Sequence, residues 1–76
     1  MKEILETIIE SLVEDKNSIM ITEDSDEKTI SFKVKVADSD MGKVIGKQGR
    51  VAKSIRTVMK SIGAKEHKKV NIDFVD

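Results

Sequence analysis

The stretch Met41-Gly42-Lys43-Val44-Ile45-Gly46-Lys47-Gln48-Gly49-Arg50 decides how this chain is read, because Gly46 and Gly49 interrupt a helical pattern among cations. A nucleotide-binding phosphate loop requires Gly, four residues, then Gly-Lys followed by Ser or Thr. Here three residues separate Gly42 from Gly46, and Gln48 stands where the magnesium-binding hydroxyl belongs. The dinucleotide fingerprint G-x-G-x-x-G fails as well, since Val44 occupies the place of its first glycine. What the stretch can do is simpler. Without Cβ atoms at Gly46 and Gly49, a sugar-phosphate backbone can come close to the main chain. The loop also opens a second helix, whose free N–H groups and positive dipole end favour phosphate oxygens. Lys47 and Arg50 add charge, Gln48 adds a neutral hydrogen-bonding group, and Lys43 and Lys53 flank them. A bare Gly-x-x-Gly is equally a tight helix–helix turn.

On the N-terminal side, Asp38-Ser39-Asp40 offers N-caps for a short helix containing Met41, Val44 and Ile45. On the C-terminal side a longer helix starts at Arg50. Its spacing predicts Val51, Ile55, Val58, Met59 and Ile62 inward and Arg50, Lys53, Arg56 and Lys60 largely outward. Gly63 fits either a C-terminal cap or one further turn, so that helix ends between Ile62 and Glu66. Lys65 to Lys69 reads as a polar loop, and Val70, Ile72 and Phe74 alternate through a closing strand.

Further out, Ile30, Phe32, Val34 and Val36 alternate strictly with Thr29, Ser31, Lys33 and Lys35, a strand with one buried and one wet face. Ile19 and Ile21 mark a shorter strand before it, and Glu23-Asp24-Ser25-Asp26-Glu27 reads as the polar turn between them. That turn lacks the Gly and terminal Glu of a calcium loop. Ile4, Leu5, Ile8, Ile9, Leu12 and Val13 predict an amphipathic helix over residues 2–15, with Glu3, Glu6, Glu10 and Glu14 opposite. Its acidic polar face suits a helix covering a sheet, since anionic lipids would repel it. The order is α-β-β-α-α-β.

Composition sets the outer limits. The chain has 76 residues, 14 Lys plus Arg, 14 Asp plus Glu, one His and no Cys. That is one small domain, residues 1–76, too small for a large buried active site. The absence of Cys excludes disulfides and thiolate metal sites and suits a reducing compartment. No apolar run approaches a membrane span and no signal peptide is recognisable, so a soluble cytoplasmic protein is expected. With no Trp or Tyr and two Phe, an aromatic stacking platform for nucleic acid is not expected. The zero net charge is unevenly distributed: residues 1–40 hold five lysines against eleven acids, while residues 41–69 hold nine cations against Glu66. Such a basic run reads equally as a solvated helix face or as a surface for a polyanion.

Val44-Ile45-Gly46-Lys47-Gln48-Gly49-Arg50 resembles the V-I-G-x-x-G-x signature of the K homology (KH) domain, and the element order is similar to its prokaryotic, type II arrangement. Together with Ile55-Arg56, Val58-Met59 and the ending Lys68-Lys69-Val70-Asn71-Ile72-Asp73-Phe74-Val75-Asp76, it resembles the small KhpA (YlqC-like) family of bacteria. The resemblance implies an α+β fold with a three-stranded mixed sheet and three helices on one face. It also implies a single-stranded RNA-binding protein. Gly46, Lys47, Gln48 and Gly49 would meet phosphates, Lys43, Arg50 and Lys53 would supply the surrounding field, and Ile45 would floor the base groove. Ile55 fits core or groove wall, with the core preferred. The groove is about four nucleotides long and reads bases without ring stacking. Homodimers, a KhpB (Jag-like) partner, an RNA-chaperone or post-transcriptional role and a part in cell-wall growth and cell shape are further implications. The residues do not separate RNA from single-stranded DNA.

Two departures from the family pattern bear on helix ends only: Asp15-Lys16-Asn17-Ser18 replaces a common Pro, and Ser61-Ile62-Gly63-Ala64 replaces an Ala-rich end. A protein-interaction module of the same fold with little RNA affinity is the alternative. No enzyme, cofactor, metal or small-molecule substrate is expected, because His67 stands alone in a Lys-rich segment without a nucleophile or second ligand nearby in sequence.

Overall fold

The computed structural model describes residues 1–75. Helix α1 (Lys2–Leu12) leads through a short 3-10 turn to strands β1 (Met20–Ser25) and β2 (Thr29–Lys35). A second 3-10 turn, Asp38–Asp40, enters α2 (Met41–Ile45); a third, Lys47–Gly49, joins it to α3 (Arg50–Lys65), and β3 (Lys69–Phe74) closes the chain. The sheet order is β1-β2-β3, antiparallel in the first pair and parallel in the second. This is the expected α+β arrangement.

Alternation in β2 does what its sequence predicts: Ile30, Phe32, Val34 and Val36 are buried. Phe32 pairs with Ile72 of β3 across the sheet and Ile30 with Val70, so the apolar face is continuous beneath the helices. Leu5 and Ile9 of α1, Val44 of α2 and Ile55 and Met59 of α3 complete that core. An 11-residue helix is marginal alone. Burying Leu5 and Ile9, at about 2 kcal/mol each, holds α1 in place.

Three boundaries differ from the sequence reading, each for a physical reason. Helix α1 stops at Leu12 rather than residue 15, because Val13 turns extended and the next two N–H groups are taken by the Asp40 carboxylate. Glu23, Asp24 and Ser25 are not turn but the end of β1, paired with Phe32, Ser31 and Ile30. The turn is only Asp26–Lys28, where the Asp26 side chain accepts the N–H groups of Lys28 and Thr29 at 2.8 Å each. Acidic residues are tolerated in β1 because it is an edge strand whose residues are mostly exposed. At Gly63 the structure takes the further turn that the sequence left open: Gly63 lies inside α3, where a Cβ would stand 2.4 Å from Val70 Cγ2 and 2.9 Å from the Lys68 carbonyl oxygen. The helix ends one turn later, with Lys68 N–H donating to the Gly63 carbonyl and His67 N–H to the Ala64 carbonyl. His67 takes the left-handed position usually held by glycine, at φ 59°. The polar loop is therefore shorter than expected. Val58, expected inward, is 47% exposed.

Candidate nucleic-acid interface

The loop between α2 and α3 is built from three left-handed residues. Gly46 (φ 77°, ψ 174°) ends α2 by donating its N–H to the Gly42 carbonyl at 2.8 Å. Gln48 (φ 59°) and Gly49 (φ 74°) then turn the chain so that α3 starts at Arg50. The two glycines do different things. A Cβ on Gly46 would lie 2.4 Å from Val51 Cγ2 and 2.9 Å from Val51 N, so this glycine lets the loop pack on α3. Nothing lies within 4 Å of the Cβ position of Gly49. Of the two, only Gly49 leaves open surface beside the main chain, where the sequence reading assigned that role to both.

Gln48 is a non-glycine residue in the left-handed region, a conformation costing about 1–2 kcal/mol. Its side-chain Oε1 accepts a hydrogen bond from Arg50 Nη2 at 3.2 Å, which holds the guanidinium over the turn. Lys47, Gln48, Arg50 and Lys53 are all exposed, and Ile45 is half-buried against the core. Among the described residues, no carboxylate pairs with Lys47, Arg50 or Lys53. The helix N-terminus has no side-chain cap. Uncompensated cations and a bare Gly49 thus share one exposed turn.

Lys43 stands apart from the others. Its Nζ lies 2.8 Å from Glu14 and 3.2 Å from Asp40, and these partners raise its pKa, Glu14 first, against the opposing effect of burial. Two carboxylates of the protein already share its charge, at a site where the Glu14 side chain is 87% exposed. Asp40, 1% exposed, is the one buried charged residue among those described. Rather than capping α2, its carboxylate accepts the N–H of Glu14 at 3.1 Å and of Asp15 at 3.0 Å, fastening the end of α1 to the start of α2. Those N–H groups, Asp15 first, hold its pKa below the ordinary carboxylate value, with burial opposing and Lys43 assisting.

A carboxyl group with a lower pKa folded than unfolded contributes stability above its unfolded pKa of about 3.9. That stability is lost as pH falls through the folded value. Glu3 and Asp26 act in the same direction. The Asp40→Asn variant is expected to melt several degrees lower at neutral pH and to show a flatter fall as pH drops below about 4. Parallel melting curves for the two proteins across that range would remove this role.

Reasoning from sequence misplaced Arg56. Instead of pointing to solvent it is half-buried, donates its Nε–H to the Ile72 carbonyl at 3.0 Å and lies 5.4 Å from the centre of the Phe74 ring. Beside it Arg56, Lys60, Ser31, Asn71, Ile72 and Asp73 line a shallow polar depression of about 440 Å³. Arg56 is six residues beyond Arg50, about 9 Å along α3. Lys53, Arg56 and Lys60 follow one another at helical three- and four-residue spacing, so they form one row leading from the loop toward β3. That spacing was the available signal. At the far end Lys65 closes α3, about 22 Å along its axis from the loop and outside a Debye length of about 8–10 Å, and Lys68 and Lys69 follow it. The basic block seen in the sequence is therefore spread along the whole of α3, and only its first part lies near the loop. Among the described residues no group of His, Cys, Asp or Glu is placed to hold a metal ion, and no helix is long and apolar enough to cross a membrane.

The chain matches the family model "KhpA/KhpB, KH domain" over residues 2–74. It is 49% identical to a protein of Clostridium acetobutylicum named "RNA-binding protein KhpA", over 99% of this chain and 100% of that one. Proteins of the same name from Listeria monocytogenes and Aquifex aeolicus are 37% and 38% identical over 100% of this chain, and over 100% and 96% of their own lengths. No solved structure matches the chain at a comparable level. With its Gly46–Gly49 loop between two helices over a mixed three-stranded sheet, the chain belongs to the KhpA/KhpB family of KH domains.

Proposed function

We propose that this protein binds single-stranded RNA, holding the sugar-phosphate backbone at Gly46-Lys47-Gln48-Gly49. The bases would run along the flank of α3 past Lys53 and Arg56 toward β3. The observation that carries this reading is the exposed left-handed turn at Gln48 and Gly49, bordered by Lys47, Arg50 and Lys53, none with a carboxylate partner among the described residues. Lys43, already paired, contributes little to the field. The relatives' name supports RNA as the ligand. The family resemblance extends the proposal to an intracellular chaperone or post-transcriptional role, with a KhpB-like partner and a link to cell-wall growth. Exposed Ile4 and Val58 on the helical layer support association with a second copy or such a partner.

With two to three cations meeting phosphates, binding to a single strand should be weak and salt-sensitive. The expected slope of log affinity against log salt is about −2, at about 0.7 per phosphate neutralised. Lys47→Ala should reduce that slope by about 0.7. Anisotropy titration of a labelled randomised RNA oligonucleotide across salt concentrations measures both. A slope near zero, or one unchanged by Lys47→Ala, would count against the loop as the phosphate site.

A further inference from the structure

We propose that the free edge of β1, with the groove between it and α1, takes an extended basic polypeptide segment as an added strand. The edge is identified by its hydrogen-bond phase. Asp26 N–H donates to the Thr29 carbonyl at 2.9 Å and closes the hairpin. In an antiparallel pair, bonded and non-bonded residue pairs alternate. Met20, Thr22 and Asp24 therefore turn their backbone groups toward Lys35, Lys33 and Ser31 of β2. Ile21, Glu23 and Ser25 turn theirs outward, and none of these outward groups has a partner among the described residues.

Beside this edge a groove of about 320 Å³ is lined by Lys2, Glu6 and Glu10 of α1 and by Lys16, Ile19 and Ile21. Ile21 belongs to both features: its main chain faces outward, and the half-buried residue lines the groove. A helix lying alongside an unpaired strand edge is the geometry in which an extended peptide adds to a sheet, with side chains of one parity entering the groove. The surroundings select its charge. The groove sets Glu6 and Glu10 against Lys2 and Lys16, with Lys2 3.9 Å from Glu6, and the β1 edge adds Glu23 and Asp24, so the surface an added strand would meet is net acidic. Apolar side chains of the incoming strand would meet Ile19 and Ile21, and Lys or Arg would meet Glu6, Glu10 and Glu23. A second β1 edge is a poor occupant, because Glu23 and Asp24 would face their own copies. This edge lies across the sheet from β3 and the proposed RNA path, and it does not depend on RNA binding.

The test uses a short fluorescent peptide of alternating lysine and valine, with alternating glutamate and valine as control. The basic peptide should bind, and amide chemical-shift changes should centre on Ile21, Glu23 and Ser25. Glu23→Pro removes an outward N–H and leaves the ladder to β2 intact, a place where an edge strand tolerates proline. It should weaken binding about tenfold or more, as should the double variant Glu6→Lys with Glu10→Lys, whose side chains are at least partly exposed. Folding of each is checked by circular dichroism. Equal binding of both peptides overturns the proposal, as does undiminished binding by either folded variant. Self-association through this edge without peptide binding also overturns it, in favour of a second copy.

Discussion

Replacing Gly46 by alanine is expected to destabilise the protein by about 4 kcal/mol, whereas replacing Gly49 should cost about 1 kcal/mol. At φ 77° and ψ 174°, Gly46 occupies backbone space essentially reserved for glycine, where another residue costs about 1–3 kcal/mol. A methyl group there would also meet Val51 Cγ2 at 2.4 Å and the Val51 main chain at 2.9 Å, overpacking worth a further 1–3 kcal/mol or so. Retreat is difficult, because Val51 lies in the first turn of α3, packed against the core. Gly49 has the milder left-handed φ 74° and ψ 15° and open space beside it. A small domain holds roughly 0.05–0.15 kcal/mol of stability per residue. The first substitution therefore removes a large share of it. Urea denaturation, read as a shift in midpoint at constant slope, separates the two variants. Equal losses would contradict the division of labour between the glycines.

Much of this was legible in the sequence where a periodic pattern met a buried surface. Ile30, Phe32, Val34 and Val36 announced β2, and the same logic found the core faces of α1 and α3. The loop was legible because its two glycines interrupt a helical pattern among cations. What escaped were interactions between residues distant in sequence. Asp40 resembles any helix cap until its carboxylate is seen bonded to Glu14 and Asp15, and Lys43 looks like free charge until Glu14 closes on it. Gly63 fits a stop or a further turn equally until Val70 is seen filling the space beside it. Edge strands are also hard to read: β1 runs through Glu23 and Asp24 because neither face there is deeply covered, so polarity carries no penalty. Val58 followed the helical period yet stayed exposed, because no neighbouring element covers that flank of α3.

The formal charge of zero hides the arrangement that matters for function. The front of the chain supplies most of the acids, the acidic edge of β1 among them. Among the described residues, the cations near the glycine loop without a carboxylate partner are Lys47, Arg50 and Lys53. Replacing Lys47 and Gln48 together by Asp removes one positive charge and adds two negative ones at that turn. In water a unit charge about 4 Å from a phosphate is worth about 1 kcal/mol, so the pair should weaken RNA binding by about 2–3 kcal/mol. That is a loss of about 30- to 150-fold at low salt. The fold should survive, because both side chains are exposed and Asp accepts the left-handed conformation of Gln48 better than most residues. Salt should narrow the gap between the two proteins, since the lost contacts are electrostatic. The direct measurement is RNA affinity of the wild type and of this double variant at two salt concentrations, with circular dichroism on both. Loss of binding in a folded variant, smaller at the higher salt, is the predicted result; a folded variant binding RNA within about twofold of the wild type at both, far from the electrostatic loss expected, would contradict it.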